Sequence, residues 1–409
     1  MAPSAWWSPW SGCIWKSCAC WPSCNRATEA GTRCRQGRPG HARPSLFRAR
    51  GSIQGHPAAG VARRGRPWHP PRRSTMPGGR PMRRGGMVVL VGGKPVRSIR
   101  WRRAVLASAA TLALLLGAPW LLSHPEPLRL DATARTAAPG RFAELSAGRT
   151  HYQLHGPRRG RLVVLVHGAI LPGLVWRHNI PELADAGYRV LSFDLYGRGY
   201  SDRPARRHGL DLYVGQLEEL LNEVAKGEPV DLVGHSIGAI IAAEYTRRYP
   251  GAVRRLVLVS PAGLETDLPL SARIARTPWV GEYLLEVAGT RLLRPSRNML
   301  FAPDRHPDLD AAYLDSIRFR GSRDAVLQGL RRLPWDRYGD RYRELRRLGI
   351  PILLVWGRHD RIVPIAAGDR LRRLTGARDL LVVEQAAHLP HYEQPALVNR
   401  ALLDFFAQR

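Results

Sequence analysis

The sequence predicts an α/β fold in which a mostly parallel, eight-stranded sheet is flanked by helices and carries an inserted helical cap. Two observations predict it. Short apolar runs alternate with amphipathic stretches from about residue 142 onward, and one long interval breaks this rhythm. Strands that alternate with helical patterns favour parallel pairing through crossover helices.

Six runs rich in Val and Leu fit strands that are buried on both faces of a sheet. They are Arg161 to Val166, Tyr188 to Phe193, Val230 to Val233, Arg255 to Val259, Ile352 to Val355 and Leu380 to Val383. The stretch from Phe142 to Leu154 predicts an N-terminal hairpin, and Leu210 to Lys226 and Ala239 to Arg248 have helical spacing. The predicted core therefore comprises residues 142–262 and 341–409.

Residues 263–340 form the interval that breaks the rhythm. It contains helix-like pieces and the aromatic residues Trp279, Tyr283, Tyr313, Phe319 and Trp335. We interpret it as a helical cap inserted into the core.

An apolar run without charge extends from residue 104 to residue 122, directly after four arginines within residues 97–103. A hydrocarbon core about 30 Å thick needs roughly 20 helical residues, so this run is long enough to span a membrane. The arginines favour the cytoplasmic side, so the rest of the chain, after a linker at 123–141, would lie outside the cytoplasm. A cleaved signal peptide is the alternative, because Ala132-Thr133-Ala134 has the small-x-small form; the protein would then be secreted or periplasmic.

The N-terminal region is strongly basic. The chain has 63 Lys and Arg against 33 Asp and Glu, and residues 1–103 hold 21 of these bases and one acid. Without apolar periodicity, residues 1–86 are predicted to be a disordered tail or a wrongly extended start before Met87, followed by a basic flank at 87–103. We expect no nucleic-acid partner. All five cysteines lie within the first 34 residues in no zinc-binding pattern, so neither a metal nor a cofactor is expected.

A candidate nucleophile lies where a predicted strand meets a predicted helix. In Gly234-His235-Ser236-Ile237-Gly238, a G-x-S-x-G motif follows the strand directly and precedes a helix of small residues. A nucleophile at such a junction lies on a sharp turn, and the two glycines let the neighbouring chain approach without a Cβ clash. The pattern predicts Ser236 as the nucleophile.

A serine hydroxyl needs a base to accept its proton, and imidazole has a suitable pKa near 6.5. His388 follows the last predicted strand, at the same sheet edge as Ser236, and is the expected base. His391 is the alternative, but we expect it at the surface or against the cap. For His167 and His235, which lie in turns beside glycines, we expect structural hydrogen bonds.

The base in turn needs an acid that fixes its tautomer. Asp360 follows the predicted strand from Ile352 to Val355, which makes it the expected acid. The alternative for Asp360 is a surface ion pair with a neighbouring arginine. Asp194 and Glu265 are weaker rivals, and Asp194 more readily pins its own loop.

Two backbone amides are expected to stabilise the oxyanion of the reaction. Ile237 directly follows the nucleophile, and Ala169 follows the first predicted core strand. Ile170, Leu171 and Trp279 would line an apolar acyl pocket, although they fit the packing of the cap almost as well.

Five sequence elements occur together in one order. They are His167-Gly168, Asp194-x-x-Gly197-x-Gly199-x-Ser201, Gly234-x-Ser236-x-Gly238, Gly357-x-x-Asp360 and His388. This set resembles the α/β-hydrolase superfamily over about residues 142–409. The resemblance argues against its dehalogenases and epoxide hydrolases, which carry aspartate at the nucleophile position. Residues 194–204 and 388–393 are similar to those of serine esterases and acylglycerol-lipase-like members.

The expected function is hydrolysis of carboxylic esters, such as acylglycerols or other lipid esters, through an acyl-serine intermediate. The partners would be a small ester or lipid substrate and, through the apolar segment, a membrane. Hydrolysis of a carbon–carbon bond with a similar triad is the nearest alternative. An inactive binding protein with the same fold, and nucleic-acid binding through the basic tail, are alternatives of other classes.

Overall fold

The computed structural model describes residues 96–123, 126–264, 268, 270–292 and 296–408. The predicted tail at residues 1–86, the candidate start Met87 and the rival acid Glu265 lie outside these residues.

The described residues form one eight-stranded sheet. Its strands are β1 Arg141–Leu145, β2 Gly148–His155, β3 Leu162–Val166, β4 Arg189–Phe193, β5 Val230–His235, β6 Val253–Val259, β7 Ile352–Gly357 and β8 Asp379–Val383. They lie in the order β1-β2-β4-β3-β5-β6-β7-β8. The pairs β1–β2 and β2–β4 are antiparallel and all other neighbours are parallel, which confirms the predicted sheet.

The sheet is buried on both faces. Every side chain of β3 is buried, and alternate residues belong to different apolar clusters: Leu162, Val164 and Val166 to one, Val163 and Leu165 to the other. Since successive side chains of a strand point to opposite faces, the two clusters lie on opposite faces of the sheet. This double burial is the reason the strands are continuous apolar runs in the sequence.

Helices cover the sheet and fill the insertion. They are α1 Val96–Leu122, α2 Ala132–Thr136, α3 Ile180–Asp185, α4 Leu210–Val224, α5 Ile237–Arg248, α6 Leu270–Ala275, α7 Val280–Leu292, α8 Ser296–Met299, α9 Pro307–Ser316, α10 Ser322–Arg332, α11 Gly339–Leu345, α12 Ala366–Thr375, α13 Pro390–Glu393 and α14 Pro395–Ala407. Helix α4 buries Tyr213, Leu217 and Leu220, which have the spacing of one helical face.

The segment between β6 and β7 contains α6 to α11. Helix α11 crosses the boundary that the sequence suggested at residue 340. Trp335, Tyr338 and Tyr342 are buried in the same cluster as the sheet residues, so the end of the segment packs with the core. The sequence did not show that Trp335 and Tyr338 pack with the core, because aromatic residues recur on both sides of residue 340.

Helix α1 begins at Val96, before the apolar run, and includes the arginines that precede it. Within the described part of the chain, Trp101–Leu122 is the one helix long and apolar enough to cross a membrane. Its mean hydropathy is 2.0, and none of its apolar stretch is buried against the rest of the protein.

The segment expected as a linker, residues 123–141, is in contact with the cap. Both carboxylate oxygens of Glu126 accept hydrogen bonds from backbone amides, one from Gly321 and one from Arg323, each at 2.7 Å. Leu128 forms a parallel bridge with Phe319. A segment rich in Pro and Ala resembles a free linker in sequence, but here its backbone polar groups find partners on the cap.

Candidate active site

Ser236 lies in the turn between β5 and α5, with φ 55° and ψ −117°. A positive φ is strained for a residue other than glycine, and such strain is concentrated at functional sites. The flanking glycines allow the turn. A Cβ on Gly234 would lie 2.4 Å from the carbonyl oxygen of Gly238, and one on Gly238 would lie 2.4 Å from the carbonyl oxygens of Val166 and His167.

The structure brings the three residues of the predicted triad together. His388 Nε2 lies 3.1 Å from Ser236 Oγ, and His388 Nδ1 lies 2.8 Å from Asp360 Oδ2. Asp360 Oδ1 accepts hydrogen bonds from the amides of Ile362 and Val363, each at 2.9 Å, so the carboxylate cannot rotate away. All three triad side chains are buried. In this geometry His388 can accept the serine proton while Asp360 fixes its tautomer.

The two amides predicted for the oxyanion hole lie beside the nucleophile. Ile237 opens helix α5, and within the described chain neither its N–H nor that of Ala169 donates to a protein acceptor. Arg198 Nε donates to the carbonyl oxygen of Ala169 at 2.9 Å and so holds the Ala169 loop in place. Two unused donors near a helix N-terminus suit a developing negative charge.

Asp194 is engaged in its own loop. Its oxygens accept hydrogen bonds from the amides of Gly173 at 2.8 Å and Tyr200 at 3.0 Å, and Oδ2 lies 2.8 Å from His151 Nδ1. Burial opposes the ionised form, but the hydrogen bond and charge of His151 outweigh it and lower the pKa of Asp194 to about 2. These contacts leave Asp360 as the carboxylate that meets His388.

The expectation that His391 lies at the surface or against the cap was wrong. It is buried in the short helix α13, with its ring centroid 4.2 Å from Trp176 and 4.8 Å from His235. Burial, together with the neighbouring histidines, lowers the pKa of His391 to about 3, so this ring is neutral. The sequence placed it outside because four residues of α13 are too few to show which face is buried.

The other two histidines make hydrogen bonds within the site. His167 Nε2 accepts from the amide of Leu195 at 2.8 Å, and His235 Nε2 lies 2.9 Å from the carbonyl oxygen of His388. Among the residues described, His, Cys, Asp and Glu side chains form no group of three arranged to hold a metal ion.

A cavity of about 130 Å³ opens above Ser236. Its walls come from the loop after β3, which contains Ala169, and from the segment between β6 and β7, and two of the predicted pocket residues, Ile170 and Leu171, are among them. A cavity of about 150 Å³ lined by apolar side chains holds a benzene molecule. The space therefore fits a short acyl group or one small ring.

Trp279, the third residue predicted for the pocket, is not part of the cavity. Its side chain is 86% exposed, and it lies in the turn between α6 and α7 with φ 68°. A turn between two helices projects its side chain outward, and sequence alone does not reveal which side of the cap that turn faces.

Glu393 is a buried residue of the site that sequence reasoning missed. Oε1 accepts from the amide of Ala387 at 2.8 Å, and Oε2 accepts from the amide of Phe301 at 2.6 Å. The amide of His388 donates to the carbonyl oxygen of Met299 at 3.0 Å. Glu393 thus joins the loop that contains His388 to the segment at Phe301 beside the cavity. Its position five residues after His388 was the available signal, but an acid near a helix start is common.

Known proteins with similar sequences and structures identify the family of this chain. The model of the α/β-hydrolase fold family matches residues 161–395. A 2-hydroxy-6-oxo-2,4-heptadienoate hydrolase of Pseudomonas putida is 30% identical over 276 residues, which cover 64% of this chain and 94% of the relative.

Two solved structures illustrate the fold. A thermophilic esterase from Thermogutta terrifontis superposes with a TM-score of 0.56 at 23% identity and covers 66% of this chain and 98% of its own. A meta-cleavage product hydrolase from Pseudomonas fluorescens has a TM-score of 0.53 at 24% identity and covers 65% of this chain and 97% of its own. Since the family match spans more than half of the chain, this protein belongs to the α/β-hydrolase fold family.

Proposed function

We propose that this protein is a serine hydrolase that cleaves neutral carboxylic esters through an acyl-serine intermediate. The contact of His388 with both Ser236 and Asp360 carries the proposal, because it supplies nucleophile, base and acid in hydrogen-bonding order. Ile170 and Leu171 line the cavity, and in this proposal they contact the acyl group.

The reaction has two halves. Ser236 Oγ attacks the ester carbonyl carbon while His388 Nε2 takes the hydroxyl proton, and the amides of Ala169 and Ile237 hold the oxyanion. As the tetrahedral intermediate collapses, His388 gives this proton to the leaving alcohol. Water then attacks the acyl carbon, His388 takes its proton, and the acid leaves as the proton returns to Ser236.

The charge of the cavity favours a neutral substrate. Among the described residues that line it, none is an Asp, Glu, Lys or Arg, and Ser271 and Asn298 are the polar residues beyond the catalytic loops. Burial of an ionised group without a partner is costly, so a neutral acyl chain suits this lining better than a carboxylate.

Hydrolysis of a carbon–carbon bond is a second candidate. It is favoured by the similarity to the Pseudomonas putida hydrolase and to a 2-hydroxymuconate semialdehyde hydrolase of Pseudomonas, which is 31% identical over 276 residues. The substrate in the name of the Pseudomonas putida hydrolase is a dienoate and is therefore an anion. An uncharged cavity supports the ester reaction over this one.

A panel of p-nitrophenyl and glycerol esters of increasing chain length, together with one dienoate, tests the assignment. We expect ester cleavage with a preference for short acyl groups. Ser236→Ala should lower kcat by about 10⁴-fold or more and abolish labelling by a fluorophosphonate. Ser146→Ala, at an exposed serine, is the matched control and should retain both.

Two results would contradict the proposal. Cleavage of the dienoate without any cleavage of esters would establish the carbon–carbon reaction instead. Full activity and labelling of Ser236→Ala would exclude Ser236 as the nucleophile.

The apolar helix supports a further part of the proposal, the location. We propose that Trp101–Leu122 anchors the protein in a membrane with the catalytic domain outside the cytoplasm, because basic flanks favour the cytoplasmic side. Residues 263–340 would form the cap over the site.

A further inference from the structure

The outer side of helices α6 and α7 carries a group of exposed apolar side chains, here called the cap face. It consists of Leu270, Ile274, Trp279 and Val280, which are 65%, 42%, 86% and 41% exposed. Leu270 and Ile274 are one turn apart on α6, so they share one side of that helix. Large exposed apolar side chains that occur together in one segment suit a surface for a partner or a membrane.

The opposite side of α6 lines the cavity. Ser271, Ala272 and Ala275 face it, and Leu285 of α7 lies beside them. A single layer of helix therefore separates the cap face from the space above Ser236.

Trp279 combines exposure with backbone strain. A φ of 68° is costly for a tryptophan, and its side chain gains little packing in return. Tryptophan has an apolar ring system and one N–H donor, a combination that is enriched where a bilayer meets water.

The membrane-spanning candidate α1 contacts this part of the cap. Tyr283 Oη, on the first turn of α7, donates to the carbonyl oxygen of Leu116 at 3.1 Å. Leu116 precedes the end of α1 at Leu122 by a distance of about 9 Å along the helix axis. Amphipathic helices lie about 5–10 Å deep in the interface of a bilayer, so a spanning α1 would bring the start of α7 to that depth.

Basic side chains flank the cap face. Arg273 and Arg276 are exposed on and just after α6, within the same segment. Their long side chains can reach lipid phosphates while the apolar neighbours enter the acyl region. A bilayer surface offers both chemistries next to each other.

We propose that the cap face docks on the outer surface of the bilayer that α1 spans, and that the cavity takes its substrate, an ester with an apolar acyl group, from that bilayer. The statement about substrate delivery rests on the proposed esterase function. The statement about docking does not.

Fluorescence tests the docking without any activity. The full chain is reconstituted into phosphatidylcholine vesicles with and without brominated acyl chains, which quench tryptophan near the bilayer. We expect the quenched fraction of the emission to fall in Trp279→Phe. Trp356→Phe, at a fully buried tryptophan of β7, should leave that fraction unchanged or raise it. An equal or larger quenched fraction in Trp279→Phe would overturn the docking.

Rates of ester hydrolysis test whether the cavity takes its substrate from the bilayer. Ile274→Glu and Trp279→Glu should each lower the hydrolysis of a vesicle-embedded ester, made of a short acid and a long-chain alcohol, by about tenfold, because a charge replaces an inserted apolar group. Hydrolysis of a water-soluble short-chain ester should stay as in the wild type. Leu397→Glu, at an apolar residue 48% exposed on α14, is the matched control and should change neither rate.

The outcomes separate the two claims. Equal loss on both esters would overturn the delivery, because it would indicate damage to the site. If Trp279→Glu halves the particle mass in detergent, and the bromolipids do not quench Trp279, the cap face is a contact between two copies and the docking is wrong. A wild type that cleaves no soluble ester refutes the esterase, while the fluorescence result still decides the docking.

Discussion

Glu393 joins the loop of His388 to the segment at Phe301 and so fixes the position of that loop relative to the cavity. One oxygen binds the amide next to His388, and the other binds the cap at Phe301, beside the cavity residue Met299. Burial raises the pKa of Glu393, although the backbone amides of Ala387 and Phe301 oppose this. The groups that lower this pKa are all backbone amides and include no cation, so replacing the carboxylate by an amide removes an acceptor that the backbone donors need.

Glu393→Gln should therefore lower kcat. A glutamine accepts at one oxygen only, so its NH₂ group would face one of the two backbone N–H groups and a hydrogen bond would be lost, at a cost of about 1–3 kcal/mol. We expect kcat to fall by roughly tenfold, with slower fluorophosphonate labelling of Ser236 and little change in KM.

The same substitution at Glu384 provides the control. This acid precedes His388 by four residues but is exposed and paired with Arg358. Glu384→Gln should leave kcat unchanged. A normal labelling rate in Glu393→Gln would show that the loop of His388 does not depend on this acid.

Helix α5 follows the Ser236 turn directly and is joined to a neighbouring segment through Glu244. Its first residue follows Ser236, and its Glu244 binds Arg247 and Arg248 of the same helix as well as Tyr338 and Arg341 of the segment that returns from the cap. Glu244 is fully buried despite its charge. A buried carboxylate with several donors stabilises the fold as long as it is ionised.

The pH dependence of Glu244 follows from its pKa. Burial opposes the ionised form, but hydrogen bonds from Arg247, Arg248, Tyr338 and Arg341 outweigh it and lower the pKa of Glu244 from 4.5 to about 2. A depressed folded-state pKa gives stability that is present above pH 4.5 and is lost as the pH falls towards 2.

Glu244→Gln should lower the midpoint of urea unfolding at pH 7, because the charge-assisted bonds contribute about 1.5–3 kcal/mol each. Towards pH 3 the difference from wild type should shrink. Glu223→Gln, at an exposed acid of α4, is the control and should unfold like wild type at both pH values. A difference that grows on acidification would contradict the assigned pKa shift.

At the scale of the whole molecule, the order of segments along the chain relates the apolar helix α1 to the site. Helix α1 is followed by Glu126 and Leu128, which bind the cap, and the cap in turn covers the cavity. The distance from helix α1 to the site is therefore set by direct contacts between folded segments. A cleaved signal segment would leave the cap without this tether.

The proposal that helix α1 is a retained membrane anchor predicts a specific fractionation. The full chain should remain in membranes after an alkaline carbonate wash, and its mature N-terminus should precede Ala104. Leu112→Arg combined with Leu115→Arg should release much of the protein, since an arginine in the middle of a span costs about 2.5–3.5 kcal/mol. Leu397→Arg, at an exposed apolar residue of α14, is the control and should leave the protein in the membrane fraction. A soluble mature chain that begins after Ala134 would establish a cleaved signal instead.

The sequence by itself determined the elements whose signal is local. Strands that are buried on both faces of the sheet need continuous runs of Val and Leu. The ends of most strands could therefore be predicted from the sequence to within two residues. The turn at Ser236 requires glycines on both sides, and Asp360 and His388 follow strands that end at one sheet edge. The family and the candidate triad could therefore be predicted from residue types and their order.

The tertiary structure decided what depends on the path of the chain between elements. The sequence predicted both Trp279 and Leu171 for the pocket, yet Trp279 is exposed on the cap and Leu171 is buried at the cavity. His391 and Glu393 became part of the site only because α13 folds back beneath it. Such contacts join residues far apart in sequence, and the chain carries no periodic pattern that records which side of a short helix or turn is buried.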